Sequence, residues 1–168
     1  FETYTAAIPD VMNYLADSYG AYPFDSTGAV TDIAPDVGYA LENQTKPHYA
    51  TSLGSNGVGF SASTQVHELS HQWWGDAISP AQWTEIWFSE GWATFTENAY
   101  LPGGEDTVAL QDFFDDIYST PDDPGNGDEE WKLPPAELGE TNGEAASNLF
   151  DGFSVYDRPG AMIIGYRF

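Results

Sequence analysis

The stretch Val66–Asp76, with the sequence VHELSHQWWGD, is the feature that most restricts what this chain can fold into. It holds two of the three histidines, His67 and His71, and Glu68 directly follows the first of them. Side chains four residues apart share one face of an α-helix, so a helix here would present both imidazoles to one ion. Two explanations stay open for this stretch alone: a zinc site, or an aromatic helix that carries histidines by chance.

Composition limits which ligands and partners the chain can use. The sequence has no cysteine, so a metal would be bound by histidine and carboxylate side chains. Its 27 acidic residues against four basic ones give a net charge of −23, which disfavours nucleic acid and anionic membranes as partners. No apolar run approaches the roughly 18 residues of a membrane span. We therefore expect a soluble protein, cytoplasmic or secreted, whose oligomeric state the sequence leaves open.

Length and periodicity predict one domain over residues 1–168, which we expect to be a fragment of a longer multidomain protein because it begins at Phe1 without methionine. Residues 21–60 predict short strands and turns. The Pro-, Gly- and acid-rich residues 120–144 predict a long surface loop, with a Ca²⁺ site as a lower-ranked alternative. The periodicity predicts helices over residues 8–19, 62–75 and 105–119, a helix that starts at the N-cap Ser89, and a last helix from about Asp157. In the helix over 105–119, the residues expected to face inward are Val108, Phe113, Phe114 and Ile117.

A catalytic zinc needs a third protein ligand and one open position, and Glu90 is the candidate for that ligand. Eighteen residues separate it from His71, and a loop over residues 79–88 would return it to the metal face. The alternative is that Glu90 only stabilises the start of a helix capped by Ser89. Glu97, two helical turns farther, is a candidate hydrogen-bond partner for a metal-bound histidine, or simply a solvated acid.

Four motifs in order resemble the zinc aminopeptidases of the aminopeptidase N family, within the gluzincins. HELSHQWWGD and WFSEGWATFTE are similar to the zinc-binding motifs of that family. GYALENQT, at residues 38–45, is similar to its G-A-M-E-N signature, and VYDRPGAM, at residues 155–162, to its tyrosine-bearing segment. The resemblance implies an α+β fold: a thermolysin-like catalytic domain with a small β-rich lobe, which would hold Glu42 on an edge strand, and a mainly helical lobe that would hold the metal.

The resemblance also implies roles for the residues around the metal. His67, His71 and Glu90 match the ligands of a single Zn²⁺ ion. Glu68 matches the general base that takes a proton from the zinc-activated water. Tyr156 matches the tyrosine whose hydroxyl stabilises the oxyanion opposite the metal.

Three further residues match the part of the family site that binds substrate. Glu42 matches the glutamate that holds the free α-amino group of a peptide, which implies cleavage of the N-terminal peptide bond. Ala40 and Leu41 would lie along the bound peptide and offer backbone hydrogen bonds. The implied activity is an aminopeptidase acting on peptides with a free N terminus. The alternatives are an endopeptidase of the same clan and a catalytically silent fragment that binds metal or peptide.

The chain departs from the family pattern at several positions. Tyr39 and Leu41 replace the glycine and the methionine of G-A-M-E-N, which puts the side-chain preference in doubt. Ser89 replaces the usual asparagine before the third ligand. Asn43 lies in a glycosylation sequon that we discount, because a glycan beside Glu42 would obstruct the cleft. His48 is expected to be a loop residue and not a ligand.

Overall fold

The computed structural model describes residues 5–34, 36–51, 61–101, 104–119, 131, 134–135 and 149–167, which form a mixed helical fold with a small sheet. The helices are α1 (Ile8–Tyr19), α2 (Ala62–Ser70), α3 (Ile86–Ala99), α4 (Thr107–Ser119) and α5 (Arg158–Arg167). The strands are β1 (Val30–Ile33), β2 (Ala40–Leu41), β3 (His48–Thr51), β4 (Tyr100–Leu101) and β5 (Gly104–Glu105). Within the described residues, no helix has both the length and the apolar character needed to span a membrane.

Helix α1 packs against α2 through a shared apolar core. The three-to-four-residue spacing of its apolar side chains gives it one buried stripe, Pro9 lies in its first turn, and Gly20 ends it with a φ of 93°. The predicted bounds of this helix are confirmed. The indole N–H of Trp73 donates to the Gly20 carbonyl at 3.1 Å, which ties the end of α1 to the segment after α2. The shared core consists of Ile8, Val11, Leu15, Val66, Leu69 and Trp73.

Strand β3 is the centre of the three-stranded sheet, with the order β1-β3-β2. It pairs in parallel with β1 and antiparallel with β2, where Ala40 faces Tyr49 and Leu41 faces His48. The predicted short strands are confirmed, but the placement of His48 in a loop is wrong, because its backbone pairs on both sides. Among the described strands β2 lies at one edge of this sheet, so one side of its backbone has no described strand partner.

The two helices around the predicted metal site differ from their predicted bounds. Helix α2 is capped by Ser61, whose Oγ accepts from the Thr64 N–H at 3.0 Å, and it ends at Ser70 instead of near residue 75. Helix α3 begins at Ile86, so the prediction of an N-cap at Ser89 is wrong. A 3₁₀ turn over Trp83–Glu85 starts the helix earlier, and the Ser89 hydroxyl donates to the Ile86 carbonyl at 3.0 Å from inside it. Glu90 therefore lies in the second helical turn.

Helix α4 begins later than residue 105. The Asp106 carboxylate caps it by accepting from the backbone N–H groups of Val108 and Ala109 at 3.2 and 2.9 Å. Leu110 and Ile117, seven residues apart, are buried, whereas Val108 is 68% exposed, so its predicted inward position is wrong. Val108 lies two residues from Leu110 and therefore on the opposite face. The predicted loop over 120–144, with its calcium alternative, lies outside the described residues except for 131 and 134–135.

Close packing between α3 and α5 depends on Gly91. A Cβ atom at this position would lie 2.5 Å from the Cβ of Pro159, closer than two carbon atoms can approach. The π-helical turn Gly152–Asp157 precedes α5 and also packs on α3, and its Val155 is buried against Ile86. The glycine after Glu90 therefore lets the Tyr156 segment approach the predicted metal site.

We expect Gly91→Ala to destabilise the chain by about 1–3 kcal/mol, because overpacking at Pro159 exceeds the helix-propensity gain of about 1 kcal/mol. Gly165→Ala is the matched control in α5, where the nearest atom to a new Cβ is the flexible edge of the Phe114 ring at 3.4 Å. It should be neutral or stabilising. Urea unfolding of both variants measures the difference, and equal stabilities would contradict the close-packing account.

Candidate active site

Three side chains from two helices and one helix cap converge on a single point. The Nε2 atoms of His67 and His71 lie 3.1 and 3.3 Å from the same oxygen, Oε2 of Glu90. One ligand atom from each of the three residues lies within 4.8 Å of the other two. His71 and Glu90 are buried, and His67 is partly buried. The structure thus brings together the three residues that the motif spacing selected.

The other ring nitrogen of each histidine is also engaged. His71 Nδ1 lies 2.9 Å from the Trp74 carbonyl, which accepts the Nδ1 proton, so Nε2 is the ring nitrogen that faces Glu90. His67 Nδ1 lies 3.4 Å from Oε2 of Glu97. The turn after α2 brings the Trp74 carbonyl to this place through Gly75, whose φ is 141°. The site therefore has an outer layer of acceptors that orients both imidazoles.

The electrostatics of the three residues favour a positive charge between them. Burial lowers the pKa of His67, but hydrogen bonds to Glu90 and Glu97 outweigh it and raise that pKa to about 10. Burial raises the pKa of Glu90, but His71 and His67 outweigh it and lower that pKa to about 2. Two imidazole nitrogens and one carboxylate oxygen facing a common point are a donor set that suits a divalent cation such as Zn²⁺.

Glu68 is buried beside this cluster. Burial raises the pKa of Glu68 to about 7, against the opposing effect of His71 and His67 and with a further contribution from Glu42. A carboxyl group with a pKa in this range can both accept and return a proton near neutral pH.

Tyr156, in the π-helical turn before α5, lies against His67. Its ring is stacked on the His67 imidazole, with a centroid separation of 6.0 Å and an interplanar angle of 25°. Burial raises the pKa of Tyr156, and Glu90, Glu42 and Glu68 raise it further. The hydroxyl group therefore stays protonated and can act as a hydrogen-bond donor.

Glu42 directly follows the edge strand β2, in a tight turn and not within the strand as predicted. Its charge acts on His71, Glu68 and Tyr156, which locates it beside the same cluster. It also lines a cavity of about 260 Å³ together with Asp76 and Trp83. Ala40 and Leu41 precede it on β2, and the Leu41 side chain is exposed.

Asp76 is a residue of this cavity that sequence reasoning did not select. Burial raises the pKa of Asp76 to about 6; His71 and the Gln72 amide oppose this effect, and Glu42 adds to it. Its Oδ2 atom is buried and has no hydrogen-bond partner among the described residues. The sequence could have indicated Asp76, because it ends the WWGD run a few residues after His71. The cavity thus has two carboxylates and no described basic residue in its lining.

Comparisons with known proteins agree with the motifs. The Peptidase family M1 domain matches residues 56–129, which include His67, His71 and Glu90 but neither Glu42 nor Tyr156. Bovine aminopeptidase N is 29% identical over 121 residues, covering 65% of this chain and 12% of that protein. Human aminopeptidase O is 32% identical over 104 residues, covering 59% of this chain and 12% of that protein. No solved structure matches the chain.

The chain spans only about an eighth of the length of these relatives. The family match covers the histidine pair and the glutamate that the structure brings together. The resemblance inferred from the motifs is therefore confirmed: the chain is similar to the Peptidase family M1 domain and to aminopeptidases N and O over the parts that match.

Proposed function

We propose that residues 1–168 are the thermolysin-like catalytic domain of a zinc aminopeptidase, which releases the N-terminal residue of peptides with a free amino terminus. The observation that carries this proposal is the convergence of two histidine Nε2 atoms on one oxygen of Glu90. Strands β1–β3 with Glu42 correspond to the small lobe of such a domain, and the helices carrying His67, His71 and Glu90 correspond to the larger one.

The residues present fit a single zinc ion. His67, His71 and Glu90 would hold it, and Glu97 and the Trp74 carbonyl would orient the two histidines. When bound, Zn²⁺ supplies a Lewis acid for the scissile carbonyl and lowers the pKa of a coordinated water. The remaining chemistry belongs to side chains of this chain.

Glu68 is the base in this proposal. It takes a proton from the attacking water as the water oxygen bonds to the carbonyl carbon, and it delivers that proton to the leaving amine as the C–N bond breaks. The Tyr156 hydroxyl donates a hydrogen bond to the oxyanion that develops on the carbonyl oxygen. The products are a free amino acid and a peptide shortened by one residue.

Glu42 determines which bond is cut. Its carboxylate, in the cavity that it shares with Asp76, holds the substrate ammonium. The free backbone side of β2, at Ala40 and Leu41, offers hydrogen bonds to an extended peptide. A substrate held by its N-terminal ammonium beside the cluster presents its first peptide bond to Glu68, which supports an exopeptidase.

Zinc should stabilise the chelator-treated wild-type chain and not His71→Ala. A ligand that binds only the folded state at about 100 times its Kd adds about 2.7 kcal/mol. His48→Ala is the matched control, because His48 lies in β3 outside the ligand cluster. Thermal unfolding without zinc and with free zinc at about 100 times its Kd measures the effect. An equal zinc-induced rise in Tm for His71→Ala would contradict the assignment of the ligands.

Glu68→Gln should lower kcat for leucine p-nitroanilide by about 10²–10⁴-fold, because the amide cannot carry a proton. Zinc content should stay unchanged. Asp112→Asn, an exposed acid on α4, is the control for removal of one negative charge. Full activity of Glu68→Gln would exclude Glu68 as the base. A zinc-loaded wild-type chain without any turnover would instead favour the silent-fragment alternative.

Glu42→Gln should raise KM for substrates with a free amino group by about 10–100-fold, which is the usual range for a lost hydrogen bond to a charged group. The measurement compares a leucyl peptide with its N-acetylated form on wild type and variant. Wild type should prefer the free amine, and the variant should lose most of that preference. Faster cleavage of the acetylated peptide by the wild type would favour the endopeptidase alternative.

A further inference from the structure

The backbone around Glu42 is held by a tight turn and has little strand pairing of its own. The Asn43 N–H donates to the Leu41 carbonyl at 2.9 Å, so Glu42 is the central residue of a three-residue turn. A second turn follows, in which the Lys46 N–H donates to the Asn43 carbonyl at 3.1 Å. The direction of the Glu42 side chain therefore depends on the geometry of residues 43–46.

Thr45, in the second turn, has an unfavourable backbone conformation. Its φ is 68°, and it is the only non-glycine residue with a positive φ in the described part of the chain. For a β-branched residue the left-handed region is strained, because Cβ crowds the following carbonyl. A turn of this kind persists only when surrounding contacts compensate for the strain.

Gln72 supplies those contacts from the segment that carries the metal-site histidines. Its side chain is fully buried and directly follows His71. Its Oε1 atom accepts from the Thr45 N–H at 2.6 Å, and its Nε2 donates to the Asn43 carbonyl at 3.4 Å. The Tyr22 hydroxyl lies 3.4 Å from the same Oε1 atom. One amide thus contacts the strained turn at two backbone groups, the Asn43 carbonyl and the Thr45 N–H.

We propose that Gln72 is a positioning residue that fixes the Glu42 turn relative to the metal site and thereby sets the affinity for the substrate ammonium. The inference rests on the proposed function, because it assigns that affinity to Glu42. An amide is required at this position, since the turn presents one N–H and one carbonyl to the same buried side chain.

The contacts of Gln72 are separate from those that hold the metal-site histidines. His71 is oriented by the Trp74 carbonyl through its Nδ1 atom, and His67 by Glu97. Loss of the Gln72 amide should therefore release the Glu42 turn while the zinc ligands keep their positions. The kinetic consequence is a higher KM for free-amine substrates with little change in kcat.

The test uses Gln72→Met, which keeps the length of the side chain and removes both hydrogen bonds to the turn. Gln65→Met is the matched control, because Gln65 is buried in α2 and its Oε1 has no hydrogen-bond partner among the described residues. The double variant Gln72→Met/Thr45→Gly removes the backbone strain as well. Three quantities are measured: KM and kcat for leucine p-nitroanilide, zinc content, and hydrogen exchange of the Thr45 amide by NMR.

We expect Gln72→Met to raise KM about fivefold, which corresponds to a loss of about 1 kcal/mol of hydrogen bonding to the turn. Zinc content and kcat should stay near wild type, and exchange of the Thr45 amide should accelerate. Gln65→Met should change none of these, and Thr45→Gly in the double variant should bring KM back toward wild type. An unchanged KM in folded Gln72→Met, or a fall in zinc content that accounts for its lost activity, would overturn the proposal.

Two outcomes need a separate readout. If Gln72→Met does not fold, slow exchange of the Thr45 amide in the wild-type chain supports the contact, and exchange as fast as in exposed turns overturns it. If the wild-type chain has no turnover, the proposed function fails by itself. The Kd for leucinamide then replaces KM, and an equal Kd for wild type and Gln72→Met would overturn the positioning role.

Discussion

The rest of this structure depends on the burial of a carboxylate between two imidazoles. Removing Glu90 from water is costly unless its charge is compensated, and His67 and His71 provide the compensation at 3.1 and 3.3 Å. That arrangement requires α2 and α3 to pack closely at one angle. Helix α1 fixes α2 through their shared apolar core, and α5 fixes α3 where Gly91 meets Pro159. These two packing contacts thus hold the helices that position His67, His71 and Glu90.

The charge distribution around this point is one-sided. Glu42, Glu68, Glu90 and Asp76 act on one another or on the same histidine, in a chain with a net charge of −23. Such a cluster is stable only with positive charge in it, from protonated imidazole or from a bound cation. The same field attracts an ammonium group to the cavity lined by Glu42 and Asp76. Metal affinity and amine affinity in our proposal therefore have a common electrostatic origin.

The sequence predicted those features that depend on residues close together in the chain. The apolar spacing and Gly20 gave the bounds of α1, and the i, i+4 histidines followed by Glu90 selected the three residues that converge. The failures arose where a neighbouring residue overrode the local signal: the turn over Trp83–Glu85 started α3 before Ser89, and the Asp106 cap shifted α4 so that Val108 faces solvent. The contact between Gln72 and Thr45 joins residues 27 positions apart, and no local pattern encodes such a pairing.

The central claim is that one zinc ion lies between His67, His71 and Glu90. The most direct measurement is an anomalous difference map, collected at the zinc absorption edge from crystals of the chain grown with equimolar zinc. Our account predicts one strong peak at about 2.0–2.2 Å from both Nε2 atoms and from a Glu90 carboxylate oxygen. No peak at this position, with zinc bound instead by acidic side chains elsewhere, would contradict the account.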